Sequence, residues 1–317
     1  MERPLVTIIC LCYNHAAFVE EALKSVFDQT YPNLQVIVVD DASTDNSIEV
    51  IRRILAQHPN IQLLALPQNL GNCKAFNQGL RLATGEYVVD FATDDVMLPE
   101  RIEKQLQLFS QLDSTYGVVF TDANYIDTQG QVFRQHYDYL FAKKLLADIP
   151  QGDVYRDVLS TYFIASPTML VRKKVFDELQ GYDETLAYED FDFWVRSARQ
   201  YKYAFFPDRL TNVRRKHQSL SSGWYKRGDP QLHSTYLVCE KAQHLNRDAG
   251  DKQALLKRVR YELRQSVFSE NHKEAKLFYN LLTTLESPSK SDRLLLGLMK
   301  SKLPLAKLRL FYQRWRY

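Results

Sequence analysis

Three acidic pairs carry the chemical interest of this 317-residue chain: Asp40-Asp41, Asp94-Asp95 and Glu189-Asp190. Adjacent carboxylates repel each other and attract protons unless a cation neutralises them, so each pair needs a reason. Asp94-Asp95 follows Glu86-Tyr-Val-Val-Asp-Phe-Ala-Thr93. That run is β-branched and aromatic, bounded by Gly85 and Leu98-Pro99, and predicts a buried strand. Two acids where such a strand ends can hold a divalent cation against a diphosphate. The plain alternative is a solvated turn leading into a helix cap, since aspartate favours turns. Glu189-Asp190 opens a segment with helical periodicity through Phe193, Trp194 and Ala198, where acids in the first turn also suit the helix dipole.

The elements that must position these acids are legible upstream. Leu5-Val-Thr-Ile-Ile-Cys10 reads as a strand ending at Cys12-Tyr13-Asn14, and Phe18 to Phe27 as an amphipathic helix with Glu20-Glu21 in its first turn. Leu34-Gln-Val-Ile-Val-Val39 is a second strand, closed by Asp40-Asp41. Ala42-Ser-Thr-Asp45 then offers caps to a helix through Ile48, Ile51 and Leu55. Ile61 to Leu66 is a third strand, and Asn69-Leu-Gly71 opens a helix through Phe76, Leu80 and Leu82. This alternation predicts an α/β fold with right-handed crossovers and a mainly parallel sheet. Ligands bind beyond the carboxyl ends of such strands. Tyr13, Asp41 and Asp94-Asp95 would share that rim, where a ring and a carboxylate suit a nucleotide base.

In order, the chain carries Val6-Thr-Ile-Ile-Cys-Leu-Cys-Tyr-Asn14, Val38-Val-Asp-Asp-Ala-Ser-Thr-Asp45, Asn69-Leu-Gly71, Ala83-Thr-Gly-Glu-Tyr87, Thr93-Asp-Asp95 and Tyr188-Glu-Asp-Phe-Asp-Phe-Trp194. Over about the first 220 residues this series resembles the inverting family-2 nucleotide-sugar glycosyltransferases of the bacterial envelope-polysaccharide type, whose domain is the three-layer α/β/α, Rossmann-like GT-A arrangement. The resemblance implies that residues around Leu11 and Tyr13 cradle the base and that Asp41 accepts from an N–H on its edge. It places Asp94 near the ribose or donor sugar, Asp95 on Mn²⁺ or Mg²⁺ bridging the phosphates, and Asp190 as the base that takes the acceptor's proton. His217, in Arg214-Arg-Lys-His-Gln-Ser-Leu-Ser-Ser222, is implied as a further metal ligand; the plain alternative is a surface histidine in a basic loop. Two departures stand out: Leu11-Cys12 replaces the usual proline, and Phe76 replaces the arginine usual before Asn77. Lys74 would supply the missing charge to the diphosphate, or else only solvate a helix face.

The implied activity is transfer of one sugar from a nucleoside-diphosphate sugar, a UDP-sugar first, to an acceptor hydroxyl on a glycan or polyprenyl-linked carrier. Its setting would be cell-envelope or extracellular polysaccharide biosynthesis. A sugar nucleotidyltransferase and a catalytically silent carbohydrate- or nucleotide-binding module are the alternatives. Absence of a Gly-x-Gly-x-x-Gly or Walker loop argues against a dinucleotide oxidoreductase or an NTPase. No Gln-x-x-Arg-Trp follows the proposed base, and Gln313-Arg-Trp315 has the wrong spacing, which favours single transfer over processive synthesis.

A net charge of +3 is too small for a general nucleic-acid binder, and Cys10, Cys12, Cys73 and Cys239 lack zinc spacing. A reducing cytoplasmic setting is expected, with no signal peptide, because Met1-Glu-Arg-Pro4 leads straight into the first strand. The expected organisation is a catalytic domain over 1–225, with a donor half at 1–100 and an acceptor half at 101–225, a helical extension at 226–286 and a basic amphipathic tail at 287–317. The tail, broken by Pro304, reads either as peripheral contact with an anionic membrane face or as a helix packing on protein. The aromatic region His136 to Tyr162, with Ser166-Pro-Thr168, reads as acceptor-side lining or as core.

Overall fold

The computed structural model describes residues 3–216, 225–300 and 305–306; His217 and most of the tail beyond Lys300 lie outside the described residues. The chain divides into two compact units. One comprises residues up to Val154 with Phe163–Lys216, and the other comprises Tyr155–Tyr162 with the chain after Lys216.

The first unit is built on a mixed sheet. Its strands are β1 (Val6–Cys12), β2 (Leu34–Asp40), β3 (Gln62–Ala65), β4 (Tyr87–Ala92), β5 (Val96–Met97), β6 (Tyr116–Ile126), β7 (Val132–Gln135), β8 (Leu170–Arg172) and β9 (Lys202–Arg214). They lie in the order β3-β2-β1-β4-β8-β6-β9-β5, with β7 pairing on β6. β1 runs parallel to β2 and β4, and β2 to β3. β8 is antiparallel to β4 and β6, while β6 and β9 are parallel. The helices are α1 (Val19–Phe27), α2 (Ser47–Leu55), α3 (Asn72–Leu80), α4 (Arg101–Phe109), α5 (His136–Ala142), α7 (Lys173–Leu179) and α8 (Asp190–Ala198). A short helix, α6 (Tyr155–Ser160), belongs to the second unit.

This order decides where a ligand can sit. From β1 the chain steps outward to β2 and β3, then crosses back over β1 to β4, so the winding reverses between β1 and β4. Right-handed crossovers put α1 and α2 on one face and α3 on the other, and leave a crevice beyond the carboxyl ends of β1 and β4. Packing agrees. Ile8, Cys10, Val38 and Phe91 share a core with Ala22, Leu23 and Val26 of α1 and Ile102 and Phe109 of α4. α3 lies on the opposite side chains: a Cβ on Gly79 would sit 2.6 Å from Ile9 Cγ2 and 3.1 Å from Val39 Cγ2. Covered on both faces, β1 is buried at every residue, which is why it reads as a continuous apolar run.

The second unit is helical: α6, α9 (Pro230–Leu245), α10 (Ala249–Phe268), α11 (His272–Leu285) and α12 (Lys290–Lys300). Asp229 and Asp248 cap α9 and α10 by accepting from Gln231 N and Asp251 N. Inside it the Arg258 guanidinium pairs with Glu262 at 3.1 Å, donates to Leu159 O at 2.9 Å and lies 4.0 Å from the Tyr162 ring centroid. These contacts tie the α6 segment to the C-terminal helices. Among the described residues no helix is long and apolar enough to cross a membrane.

Candidate active site

The loops after β1 and β2 are stitched together where a base would rest. Asn14 takes a positive φ of 58°, a conformation its short polar side chain tolerates. Its Oδ1 accepts from Thr44 N at 2.8 Å, and its own N–H donates to Ser43 Oγ at 3.0 Å. Asp40 fixes Ser43 in turn, accepting from its N–H at 3.1 Å and its hydroxyl at 2.6 Å. Tyr13, held beside this knot, is 44% exposed, whereas Leu11 is buried in the sheet and offers its carbonyl to Thr93.

Asp41 is buried, and both its oxygens are engaged: Oδ1 accepts from Leu70 N at 2.7 Å and Oδ2 from Gly71 N at 2.9 Å. Charge-assisted bonds of this kind are among the stronger ones. They pin the turn that opens α3, where Gly71 has φ +84°. This anchoring task adds to the base contact expected from sequence; each oxygen retains a second lone pair for that contact. Lys74, in the first turn of α3, is half-buried and has no carboxylate partner among the described residues.

At the end of β4 the two acids separate. Arg214, buried at the end of β9, donates its backbone N–H to Asp95 Oδ1 at 2.8 Å. Its guanidinium bonds Asp94 O at 2.9 Å, Asp127 O at 2.8 Å and Glu21 Oε2 at 2.6 Å. One arginine thus staples the acidic turn, β6 and α1 together. Asp94 Oδ2 lies 2.7 Å from Lys216 Nζ and 3.7 Å from His15 Nε2. Burial lowers the His15 pKa despite Asp94, so the imidazole is neutral at pH 7 and Lys216 is the cation that answers Asp94. Among the described residues Asp95 has no such direct partner. Burial, then the charge of Asp94, push its pKa well above the carboxylate range, against the Arg214 N–H and the more distant Arg215 and Arg101.

The third pair begins α8. Burial, then the charges of Asp190 and Asp90, raise the Glu189 carboxyl well above its ordinary value, while a hydrogen bond to Asn72 opposes this. Asp190 is raised by burial, against hydrogen bonds to Ser166 and Glu189 and the charge of Arg215. The charge of Arg215 lowers the pKa of both Asp95 and Asp190, so the two acids have this cation as a common neighbour. Asp90, within β4, accepts from Tyr182 Oη at 3.0 Å, and burial raises its pKa to about 7. Asp192, by contrast, is buried in an ion pair with Arg196 at 2.6 Å and is occupied structurally.

The donor set suits a hard cation. Mg²⁺ and Mn²⁺ take oxygen ligands and are commonly held by one or two carboxylates plus substrate phosphates. Asp95, buried beside a second acid with no cation in contact among the described residues, is a carboxylate whose charge such an ion would relieve. Among the described residues no cluster of three ligands occurs, so the phosphates would have to complete the shell. His217, the other expected ligand, lies outside the described residues.

An α/β sheet that reverses its winding between β1 and β4, with acids at its strand ends, is the GT-A arrangement. The profile described as glycosyl transferase family 2 matches residues 7–180, and the chain belongs to that family. It is 24% identical over 217 residues to an uncharacterized glycosyltransferase of Methanocaldococcus jannaschii, covering 68% of this chain and 72% of the relative. A glycosyltransferase of Haemophilus influenzae is 35% identical over 125 residues, 39% of this chain and 48% of its own. Among solved structures, S. aureus TarS with UDP-GlcNAc superposes with TM-score 0.67 at 19% identity, over 89% of this chain and 80% of that one. A Pyrobaculum calidifontis mannosyltransferase with GDP-Man and Mn²⁺ gives 0.61 at 21%, over 99% and 81%.

Sequence reasoning did not single out His15, Arg215 or Lys216 as site residues, and it read Ser166 only as acceptor-side lining or core. The basic run Arg214-Arg-Lys216 was the available signal for two of them.

Proposed function

We propose that the chain is an inverting, metal-dependent glycosyltransferase that moves one sugar from a nucleoside-diphosphate sugar, a UDP-sugar first, to an acceptor hydroxyl. The observation that supports this reading is Arg215, a charged neighbour common to Asp95 and Asp190, which favours reading the two carboxylates as parts of one site. Tyr13 and the Asn14–Ser43 knot would hold the base, and the Asp41-pinned turn would present α3 and Lys74 to the diphosphate. Asp95, with Asp94 beside it, would hold Mn²⁺ or Mg²⁺, which when bound neutralises charge developing on the departing diphosphate. Asp190 would take the acceptor proton as the new bond forms from the opposite face. A raised pKa makes it a stronger base, and Ser166 fixes its orientation. The acceptor is read as a glycan or polyprenyl-linked hydroxyl in envelope polysaccharide assembly, at the cytoplasmic face, with the tail from 287 giving peripheral membrane contact. Truncation at Ser287 should then reduce sedimentation with membranes.

The test is nucleoside diphosphate release from a panel including UDP-GlcNAc and GDP-Man, with Mn²⁺ and then with EDTA, and NMR of the product anomer. Release that needs metal and gives inverted product supports the reading. Metal-independent release or retained configuration overturns it.

A further inference from the structure

Beside the acids lies a pair of cations with an unusual seat. The Tyr125 ring, buried near the end of β6, has the Arg215 guanidinium carbon 4.6 Å from its centroid and that of Arg134 at 4.7 Å. The ring is held firmly. Its hydroxyl meets His136 Nδ1 at 2.9 Å, and His136 Nε2 meets Phe163 O at 2.8 Å. A carbonyl only accepts, so Nε2 carries the proton; burial keeps the imidazole neutral, and Nδ1 accepts from the tyrosine. Arg134 also lies 4.6 Å from the Tyr139 centroid, has no carboxylate partner among the described residues, and its buried Nε has no hydrogen-bond partner. The nearby acid Asp138 is committed to Arg209 at 3.0 Å. Two guanidinium groups stacked on one ring repel each other within a Debye length, and an anion in reach of both would relieve that repulsion.

The place of this platform matters as much as its charge. Tyr125 packs in a small cluster with Ala123, Ala165 and Val213, and Ala165 adjoins Ser166, which bonds Asp190. Arg215 N donates to Ile126 O at 2.9 Å, which fixes the cation beside β6. With Asp190 read as the base, the acceptor hydroxyl comes to the Ser166 side of the site, where Arg215 is a charged neighbour of Asp190 and Tyr125 packs on Ala165.

We infer that Arg134 and Arg215, seated on Tyr125, form a binding site for an anionic group of the acceptor, a phosphate ester carried next to the hydroxyl that is glycosylated. This rests on the reading of Asp190 as the acceptor-side base. Guanidinium forks match phosphate oxygens bidentately, and Arg134, half-buried and with no carboxylate partner among the described residues, has the terminal nitrogens of its fork to offer.

The experiment uses the full chain saturated with UDP and Mn²⁺, so that the donor side is filled. Titration calorimetry then compares glycerol 3-phosphate, glycerol and farnesyl phosphate. Glycerol 3-phosphate should bind at least tenfold tighter than glycerol. Arg134→Gln should cut that affinity tenfold or more with UDP affinity unchanged, and Arg134→Lys should recover part of it. Tighter binding of farnesyl phosphate would identify a lipid-borne phosphate, and equal binding a soluble one. An ester bound no better than glycerol, or bound equally by wild type and Arg134→Gln, overturns the inference. Failure of UDP to bind would instead strike the donor reading, and the phosphate titrations would still be read on the free protein.

Discussion

Asp90→Asn should make the catalytic unit more stable at pH 8 and leave it nearly unchanged at pH 4. Asp90 is half-buried in β4, its carboxyl raised from 3.8 to about 7 by burial first and the charge of Asp190 second, with the Tyr182 hydroxyl opposing. A folded-state pKa above the unfolded one means the native state holds the proton longer. The residue's contribution is therefore fully favourable below about pH 4 and is lost as pH rises through about 7. The span from 3.8 to about 7 corresponds to about 4 kcal/mol of destabilisation at alkaline pH. Asparagine keeps an oxygen to accept from Tyr182 and removes the charge, so about 2–4 kcal/mol should return at pH 8. Urea denaturation followed at pH 4, 6 and 8 measures this as a midpoint difference that grows with pH at constant slope. A difference of the same size at all three values would refute the reasoning, because no proton would then be linked to the residue.

Asp190→Asn should lower the transfer rate about 10²–10⁴-fold while leaving UDP affinity intact, the usual worth of a positioned general base; calorimetry beside a turnover assay separates the two. In wild type the rate should fall with acidity at a pH above the ordinary 3.8 of an aspartate, since burial raises Asp190. Asp41→Ala leaves the N–H groups of Leu70 and Gly71 without their carboxylate and should cost about 2–4 kcal/mol of stability, with a raised donor KM; denaturation and initial rates read both. Gly79→Ala should destabilise by about 1–3 kcal/mol, because its Cβ meets Ile9 Cγ2 at 2.6 Å, and thermal unfolding would show it.

The parallel half of the sheet is legible in the sequence because each strand there is a short apolar run with both faces covered, closed by a polar turn. The expected strand Leu34–Val39 appears as Leu34–Asp40, and the expected helix Phe18–Phe27 as Val19–Phe27. What periodicity cannot supply is which strand lies beside which. Arg214, Arg215 and Lys216 matter only because β9 runs along β6 and brings its end to the Asp94-Asp95 turn, where the Arg214–Asp95 bond joins residues 119 positions apart. Asp41 illustrates a second limit. A carboxylate at a strand end is visible in sequence, but whether it faces a ligand or fixes its neighbours depends on the loop carrying Leu70 and Gly71. Tyr155–Tyr162 shows a third: no change of composition marks a segment that leaves the sheet unit to pack with distant helices.

Why a pair of aspartates rather than one follows from how the structure treats them. Beyond the end of β4, Asp94 meets Lys216 and the neutral His15, whereas Asp95 turns inward to the Arg214 N–H. The first acid is matched by a flexible cation that lies beside the rim and can be exchanged for a ligand's hydrogen-bond donors. The second is buried with no contacting cation among the described residues, a state tolerable only if the group is protonated or receives a positive ion. Arg101, fully buried nearby, does not settle the account: burial lowers its own pKa to about 9, and its Nε and Nη2 are spent on Gln105 and the Met169 carbonyl. The fold therefore leaves an electrostatic demand at one atom pair, Asp95, on the side facing Arg215. A dication arriving with a diphosphate meets that demand, whereas a monovalent ion would leave Asp94 and Asp95 competing once Lys216 is displaced. On this argument Na⁺ or K⁺ should fail to replace Mn²⁺ at any concentration that leaves the protein folded.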